Sequence, residues 1–439
     1  MMKKGLTQKL CLVLLVLLFA ATRADAAGFG VFTQGASGLG QANAVVAHPI
    51  GPSSLYFNPA LLTQVPGTQV EAGTTAVFSD REFKSSLTGR TEESEEDVQF
   101  PSTFYLTHQV NDQVTAGLGV FFPFGLSTEW DENWDGRYIA TNSDLFTTNI
   151  NPVVAWRPIP QLSVAAGLDV LYLDAELERK VNSTVIGFVA NPPGGLVPLS
   201  DVNQKFTGDG WGVGYNLGLA LQVSENIDFG ATYRSHVDVN VDGDARFDVP
   251  ADATVAGLGQ LFPKTGGEAD IRLPAQAIFG LAWAATEKLT LEAGARWEDW
   301  SSFDELKIEL DQPILQQSQD ITPRDWNDTW AFNLGGQYRF NDMVTLLAGY
   351  LYADNPVPDS TFDPSIPDSD AHLFTLGTDL TFGRFSVSLA YGFEHHEDRT
   401  KNNAIGDPLD PAGQNPLSSA NGEYKTDIHL VATSVAYRF

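Results

Sequence analysis

The sequence has one cysteine, seven histidines, and roughly twice as many acidic as basic side chains, 55 against 26. The cysteine, Cys11, lies in the leader peptide predicted below, so disulfides and thiolate metal sites are excluded. The formal net charge of -29 excludes nucleic acid as a partner of the surface as a whole. Any anionic ligand would need a locally basic site.

Long apolar runs are also absent. Residues 10–21 are apolar but too few to span a bilayer. Lysines precede this stretch and Ala24-Asp25-Ala26 follows it as an A-x-A cleavage site, so residues 1–26 are predicted to be a signal peptide. No later run of about 18 apolar residues occurs, which excludes a helical membrane protein.

Aromatic residues, in contrast, are plentiful, with 27 Phe, 12 Tyr and 9 Trp. From residue 67 onward, apolar and polar residues alternate over segments of about ten residues, which is typical of transmembrane β-strands. In one such segment Leu291 and Trp297 share a face, while Glu292 and Arg296 share the other. The chain ends on Phe439, an aromatic residue suited to the girdle at a membrane interface.

Short and long connections alternate between these segments. Short turns are predicted at residues 111–112, 158–161, 224–226, 286–288, 341–342 and 383–384. Long loops are predicted at residues 85–97, 126–143, 181–207, 241–272, 310–325, 355–369 and 399–421. The sequence therefore predicts an all-β fold, a transmembrane antiparallel barrel of about fourteen strands over residues 67–439. A soluble β-sandwich would explain neither the loop asymmetry nor the terminal Phe439.

No catalytic residue, metal site or cofactor is predicted. The segments 131–136 and 238–243 begin like calcium loops, but their twelfth positions are Asn142 and Val249 instead of a bidentate Glu. They are interpreted as a polar turn and as a strand end running into a turn. The histidines have no H-E-x-x-H spacing, and no Ser, His and polar partner share a strand face as a lipase would require.

Two long loops contain more apolar residues than water-facing loops need. These residues are Ile186, Phe188 and Leu196 in one loop and Val255, Leu258, Leu261 and Phe262 in the other. Exposed apolar patches tend to be binding surfaces, which predicts an external apolar groove. The alternative is that the two loops pack against each other.

The third strand, residues 114–125, contains Gly117, Gly119, Pro123 and Gly125. Proline cannot donate to a neighbouring strand and glycines mark bulges, so the barrel wall is predicted to be interrupted here. The alternative is that Pro123 only ends the strand.

Several motifs occur in a specific order along the chain. They are SGLG at 37–40, NPA at 58–60, PFGL at 123–126, W-x-GRY at 134–138, NINP at 149–152, YRS at 233–235, W-x-D-W-S at 297–301 and P-R-D-W at 323–326. Together they resemble the FadL-type outer-membrane transporters for long-chain fatty acids and other hydrophobic compounds, over essentially the whole chain after residue 26.

This resemblance implies a barrel whose lumen is blocked by an N-terminal hatch, residues 27–66, in the outer membrane of a Gram-negative bacterium. The hatch and gating candidates are Ser37, Gly38, Gly40, Asn58, Pro59 and Ala60. Substrate would be caught in the external groove, pass to a lumenal pocket and leave sideways at a kinked third strand. Outer-membrane lipid and lipopolysaccharide are the expected surroundings of a monomer.

A fatty carboxylate would also need a donor inside this acidic barrel. By strand parity Arg157, Arg234, Arg296 and Arg339 point inward, although each could instead pair with a lumenal acid. Passive transport of long-chain fatty acids is therefore the leading hypothesis, and import of aromatic or alkane hydrocarbons, which need no arginine, is the close alternative. Alternatives from other classes are an adhesin or phage-receptor barrel and a barrel lipase.

Overall fold

The computed structural model describes residues 28–95, 98–190, 197–406 and 420–439. Fourteen antiparallel wall strands form a closed barrel, which confirms the predicted fold class. Closure is made by the first and last strands, which pair from Gln69 with Arg438 to Ser85 with Gly422.

The strands are β1 (Thr68–Ser85), β2 (Thr91–Glu93), β3 (Ser102–Gln109), β4 (Val114–Phe121), β5 (Gly125–Glu129), β6 (Asn142–Ile159), β7 (Leu162–Val181), β8 (Val202–Ser224), β9 (Ile227–Arg234), β10 (Val237–Asp248), β11 (Thr265–Leu273), β12 (Gln276–Ala284), β13 (Leu289–Glu298), β14 (Glu305–Ile314), β15 (Gln317–Pro323), β16 (Thr329–Arg339), β17 (Val344–Ala353), β18 (Ala371–Phe382), β19 (Phe385–His396), β20 (Arg399–Lys401) and β21 (Gly422–Arg438). The helices are α1 (Ala36–Leu39), α2 (Ser54–Phe57), α3 (Ser183–Ala190) and α4 (Ala251–Val255), with 3-10 turns at Pro59–Gln64, Leu258–Leu261 and Trp300–Ser302. Several wall strands are divided in two: β4 with β5, β9 with β10, β11 with β12, β13 with β14, and β15 with β16.

The two faces of the wall differ as the alternation predicts. On β8 the side chains of Trp211 and Leu217 are exposed on the outside, while Asn216 is buried inside. On β13, Glu292 and Arg296 are buried. An exposed apolar outer face with a polar, filled interior is the arrangement that a bilayer requires. Among the described residues no helix is long and apolar enough to cross a membrane.

All of the predicted short turns are present, because each lies between consecutive wall strands of the structure. The long loops are not all loops, however. β10 and β11 occupy much of residues 241–272, and β14 and β15 occupy most of 310–325, so the predicted extent of these two loops was wrong. The period-two alternation simply continues there, with Val237, Val239 and Val241 buried on one face.

The outer sheet, formed by the paired parts of β8, β10 and β11, carries a row of exposed acidic side chains. In the strand register Asp209 lies opposite Asp242, and Asp242 lies opposite Glu268. All three side chains are exposed. Like charges that face each other directly across a ladder repel, so this row lowers the stability of the outer sheet.

The N-terminal segment, residues 28–66, lies inside the barrel and is almost entirely buried. It bonds to the wall all round: Ala36 N donates to Ser434 Oγ at 3.0 Å, and Asn333 Nδ2 donates to Ala42 O at 3.0 Å. Wall glycines allow this close approach. A Cβ on Gly230 would collide with the carbonyl of Val46, so only glycine fits where the segment presses against β9.

Candidate functional site

The third wall strand is interrupted between the end of β4 at Phe121 and the start of β5 at Gly125. Both parts pair with β6, but residues 122–124 leave the ladder. Pro123 lies inside this break, which we call the wall break. Gly117 and Gly119 do not take part, because they lie in the continuous ladder of β4. Their lack of a side chain leaves room for Leu55 of the N-terminal segment.

The N-terminal segment occupies the wall break. Val31 N donates to Pro123 O at 2.9 Å, and Gly125 N donates to Phe29 O at 2.8 Å. Gln34 Nε2 completes the contact by donating to the carbonyl at position 122 at 2.7 Å. The wall is thus closed at this point by a segment that precedes the barrel in sequence.

The side chain of Phe29 is held in an aromatic cluster next to the wall break. Its ring centroid lies 6.0 Å from that of Phe124, 4.6 Å from Trp300, 5.9 Å from Phe303 and 5.7 Å from Trp326. Most of these contacts are edge-to-face, the favoured geometry for buried rings. The ring of Phe29 is therefore tightly packed beside the wall break, although the aromatic residues around it are far apart in sequence.

Three adjoining cavities fill the lumen between the outside and Phe29, and Phe206 and Ile308 line all three. The outer, middle and inner cavities contain about 610, 710 and 620 Å³ of empty space, part of which is open to solvent. The inner cavity ends at Phe29 and Leu126, which flank the wall break.

The inner cavity is apolar over most of its surface. Its apolar lining includes Leu145, Leu177, Ile271, Leu306 and Ile366. Of the polar residues that also line it, Ser143, Arg324 and Ser365 are shared with the middle cavity. The arrangement suits a molecule with a long apolar part and a small polar end.

Arg324 is the cation shared by the middle and inner cavities. Its Nη1 donates to Asp363 Oδ2 at 2.7 Å and its Nη2 donates to Ser365 Oγ at 3.3 Å. Its Nε has no partner among the described residues, although Arg324 is only 5% exposed. A buried, unpartnered guanidinium donor beside an apolar cavity is suited to an anionic oxygen of a ligand.

Arg179 is shared by the outer and middle cavities, where its Nη2 lies 2.6 Å from Asp320 Oδ2. Tyr138 also lines the outer cavity. Burial and then the charge of Asp201 raise the pKa of Tyr138 to about 12, so the phenol stays protonated and donates to Asp201 at 3.0 Å.

Of the arginines predicted by parity, Arg234 and Arg296 point inward but do not line the three cavities. Arg234 pairs with Asp169, and Arg296 Nη2 lies 2.8 Å from Glu298 Oε1. The predicted alternative, pairing with lumenal acids, is therefore what the structure shows for these two. Arg324 and Arg179 were not predicted from the sequence. Arg324 follows β15 in an irregular segment, to which parity does not apply, whereas Arg179 lies on β7, where strand parity could have found it.

Arg157 and Arg339 lie near the short-turn end. Arg157 Nη2 donates to Asp112 O at 3.0 Å and lines a separate cavity there. Arg339, the last residue of β16, is exposed and donates to Glu287 O, so it lines none of the three cavities. A long side chain at a strand end can reach past the wall to the turn.

The two apolar loops pack against each other. Ile186, Leu258 and Phe262 are buried in one apolar cluster, and Leu261 packs on its edge. Phe262 also lines the outer cavity. Phe188 and Val255, in contrast, are exposed, the latter at 90%. Position Leu196 lies outside the described residues.

The hatch candidates make specific contacts. Asn58 Oδ1 accepts from Ala60 N at 3.1 Å, while its Nδ2 donates to Val46 O at 2.8 Å and to Leu219 O at 2.9 Å. Pro59 opens the following turn, which is a 3-10 turn.

The SGLG motif also packs against the wall. Ser37 Oγ donates to Asp379 Oδ2 at 2.9 Å. A Cβ on Gly38 would meet the Phe57 ring at 2.5 Å, and one on Gly40 would meet the side chain of Leu347 at 2.8 Å. This motif therefore fits a close contact within the N-terminal segment and with β17.

The calcium-like segments have ordinary structures. Asp131 Oδ1 accepts from Asn133 N at 2.7 Å, which makes a polar turn. Asp238 and Asp242 lie within β10, so the second segment is a strand and not a loop. Within the described ranges, no group of three or more His, Cys, Asp or Glu side chains is placed to hold a metal ion.

The closed barrel with its apolar outer face and filled lumen defines an outer-membrane β-barrel. Comparison with known proteins then places it within this class. The family model described as "Outer membrane protein transport protein (OMPP1/FadL/TodX)" matches residues 17–439. The chain therefore belongs to this family of Gram-negative outer-membrane transporters for hydrophobic compounds, which are not enzymes. The barrel-lipase alternative is thereby removed.

Individual relatives agree with this assignment. The chain is 26% identical over 427 residues to the long-chain fatty acid transport protein of Escherichia coli strain K12, covering 90% of this chain and 93% of that protein. It is 25% identical to outer membrane protein P1 of Haemophilus influenzae, covering 86% of this chain and 88% of that protein.

Solved structures show the same fold. A Pseudomonas aeruginosa FadL homologue superposes with a TM-score of 0.81 at 20% identity, covering 94% of this chain and all of that one. The Ralstonia pickettii toluene transporter TbuX gives a TM-score of 0.70 at 19% identity, covering 93% of this chain and all of that one.

Proposed function

We propose that this protein is a passive outer-membrane transporter for long-chain fatty acids, with sideways release through the wall break. The inner cavity carries the proposal, because Arg324 lines it and Phe29 closes it beside the wall break. A donor for a carboxylate and an exit towards the bilayer thus border one apolar chamber. Residues 28–66 act as the hatch, and their first residues must move for the substrate to leave.

The energetics of an acyl chain favour this route. Each buried CH2 group contributes about 0.8 kcal/mol, and most of this would be lost in a water-filled channel. A route from an apolar cavity directly into the bilayer keeps the chain out of water. No energy source is then needed, since the substrate moves down its own gradient.

The charged groups beneath the cavities argue against passage along the barrel axis. The buried pairs Arg234–Asp169 and Arg296–Glu298 sit against the N-terminal segment. Pushing this segment aside would separate or expose groups whose loss of partners is costly in a buried site. Release at the wall break disturbs only two backbone hydrogen bonds, one hydrogen bond from the Gln34 side chain and the ring of Phe29.

The Escherichia coli relative, named for long-chain fatty acid transport, supports a fatty-acid substrate. Aromatic hydrocarbons are a second candidate, favoured by the ring cluster around Phe29 and by the toluene transporter among the similar structures. Such molecules need no partner at Arg324. Because one chain encloses the complete set of cavities, we propose that the protein works as a monomer surrounded by outer-membrane lipid and lipopolysaccharide.

Uptake of labelled oleate and labelled toluene by cells with and without the protein tests the proposal. The protein should raise oleate uptake. Arg324→Gln should reduce oleate uptake severalfold and leave any toluene uptake unchanged, because only the carboxylate needs the free Nε. Arg339→Gln, which removes an exposed arginine at the opposite end, is the matched control and should change neither.

Each other outcome has a definite meaning. Stimulated toluene uptake without stimulated oleate uptake would replace the fatty-acid proposal with the hydrocarbon candidate. Equal uptake of both compounds with and without the protein would refute both.

A further inference from the structure

The passage from the outer to the middle cavity is crossed by the ion pair Arg179–Asp320. The two residues line both cavities, and their side chains are 20% and 24% exposed. Arg179 lies on β7 and Asp320 on β15, and these strands are not neighbours in the wall. The pair therefore spans the entrance instead of reinforcing a ladder.

Asp320 is held lightly. Among the described residues its carboxylate has a single hydrogen-bond partner, Nη2 of Arg179. Arg179 would keep a second contact without it, since its Nε donates to Gln204 Oε1 at 3.2 Å. A partly exposed ion pair of this kind contributes little net stability. Replacing Asp320 by another carboxylate would restore the same charge-assisted hydrogen bond.

Asp363, on the deeper arginine, is held very differently. Its Oδ1 accepts from Ser365 N at 2.8 Å and also from Ser365 Oγ, while its Oδ2 accepts from Arg324 Nη1. Its side chain is only 2% exposed. Asp363 fixes the position of Arg324, whose buried Nε has no hydrogen-bond partner among the described residues.

We propose that Asp320 is a resident carboxylate that an incoming fatty-acid carboxylate replaces on Arg179, before the substrate passes to the free Nε of Arg324. Asp320 is then a specificity-determining residue, because only an anionic substrate can take its place. Neutral compounds cannot compete for Arg179 and gain nothing from the exchange. This inference rests on the proposed transport of fatty acids.

Binding of labelled oleate and labelled methyl oleate to purified, amphipol-solubilised protein tests the exchange by equilibrium dialysis against empty amphipol. Asp320→Asn should bind oleate about fivefold more tightly, the scale of a weak ion pair, because the competing charge is gone. Binding of methyl oleate should not change. Asp363→Asn should weaken oleate binding, since Arg324 loses its anchor.

A matched control is Asp311→Asn, which removes an exposed acid from the same β14–β15 hairpin without touching Arg179. It should leave the oleate Kd unchanged, and an equal gain there would reduce the effect to general charge and overturn the inference. The inference would also be overturned if Asp320→Asn bound oleate as tightly as the wild type or more weakly, provided that the heat-modifiable gel mobility of the variant shows a folded barrel. In that case wild-type binding of oleate would leave the transport proposal standing. If the wild type binds no oleate, both fail together.

Discussion

A disulfide between Gly30 and Phe124 would lock the N-terminal segment into the wall break. The two residues are antiparallel bridge partners, the geometry in which paired cysteines can bond. The chain has no other cysteine after Cys11, so the double variant Gly30→Cys, Phe124→Cys should form one defined disulfide. Under sideways release this bond should block transport, because the segment could no longer leave the third strand.

The magnitude follows from the contacts that must break. Three hydrogen bonds join the N-terminal segment to residues 122–125, at about 1 kcal/mol each, and exposing the ring of Phe29 adds about 2 kcal/mol. Opening thus costs about 5 kcal/mol, which leaves about one molecule in 5,000 open without substrate. A covalent lock abolishes this fraction and should reduce oleate uptake to background.

The assay is oleate uptake by cells before and after treatment with a reductant that reaches the periplasm. Oleate uptake by the Gly30→Cys, Phe124→Cys variant should be absent while the disulfide is formed and should return when the disulfide is reduced. The control pair Ala76→Cys, Val431→Cys joins neighbouring wall strands away from the wall break and should not respond to the reductant. If the oxidised Gly30–Phe124 variant transports oleate at the wild-type rate, the substrate does not leave through this break.

Two further perturbations separate the hatch from the barrel. Asn58→Ala removes hydrogen bonds to Ala60, Val46 and Leu219, which together contribute about 3 kcal/mol. It should speed amide hydrogen exchange in the N-terminal segment with little change in the melting temperature of the barrel. A lowered melting temperature with unchanged exchange would show that Asn58 is only a structural cap. Asp242→Asn should raise the melting temperature of the barrel, measured in the presence of a chelator. The substitution relieves charge repulsion of up to about 1 kcal/mol with Asp209 and with Glu268, so the gain in melting temperature should shrink in high salt.

The barrel could be predicted from the sequence because its signals are local. Alternation sets which side chains face outward, and turn residues such as Asn111 and Asn341 mark where strands end: both accept hydrogen bonds from backbone N–H groups two and three positions ahead. Strands that extend beyond the membrane alternate like transmembrane strands, so alternation does not show where a transmembrane strand ends. The β14–β15 hairpin, in a region predicted to be a long loop, was therefore missed. Nothing local marks the level at which the bilayer stops.

The candidate site was less predictable, because it depends on contacts between distant segments. Parity correctly oriented Arg234 and Arg296, but their acidic partners already occupy them. The free donor of Arg324 arises from the way Asp363 and Ser365 satisfy its other nitrogens. Likewise, the pattern of glycines and Pro123 indicated an interrupted strand, but not that residue 29 would close it.

Because Phe29 closes both the inner cavity and the wall break, filling the cavity and opening the wall are coupled. The apolar energy of the substrate can offset the opening cost of about 5 kcal/mol only when about six CH2 groups are buried, at about 0.8 kcal/mol each. Uptake should therefore be negligible for butyrate, rise steeply between about C6 and C10, and then level off. Competition of unlabelled acids of increasing length against labelled oleate measures this threshold, with the matching alcohols as a control for the carboxylate. A dependence on chain length that follows water solubility alone, without a step, would show that substrate binding does not drive the opening.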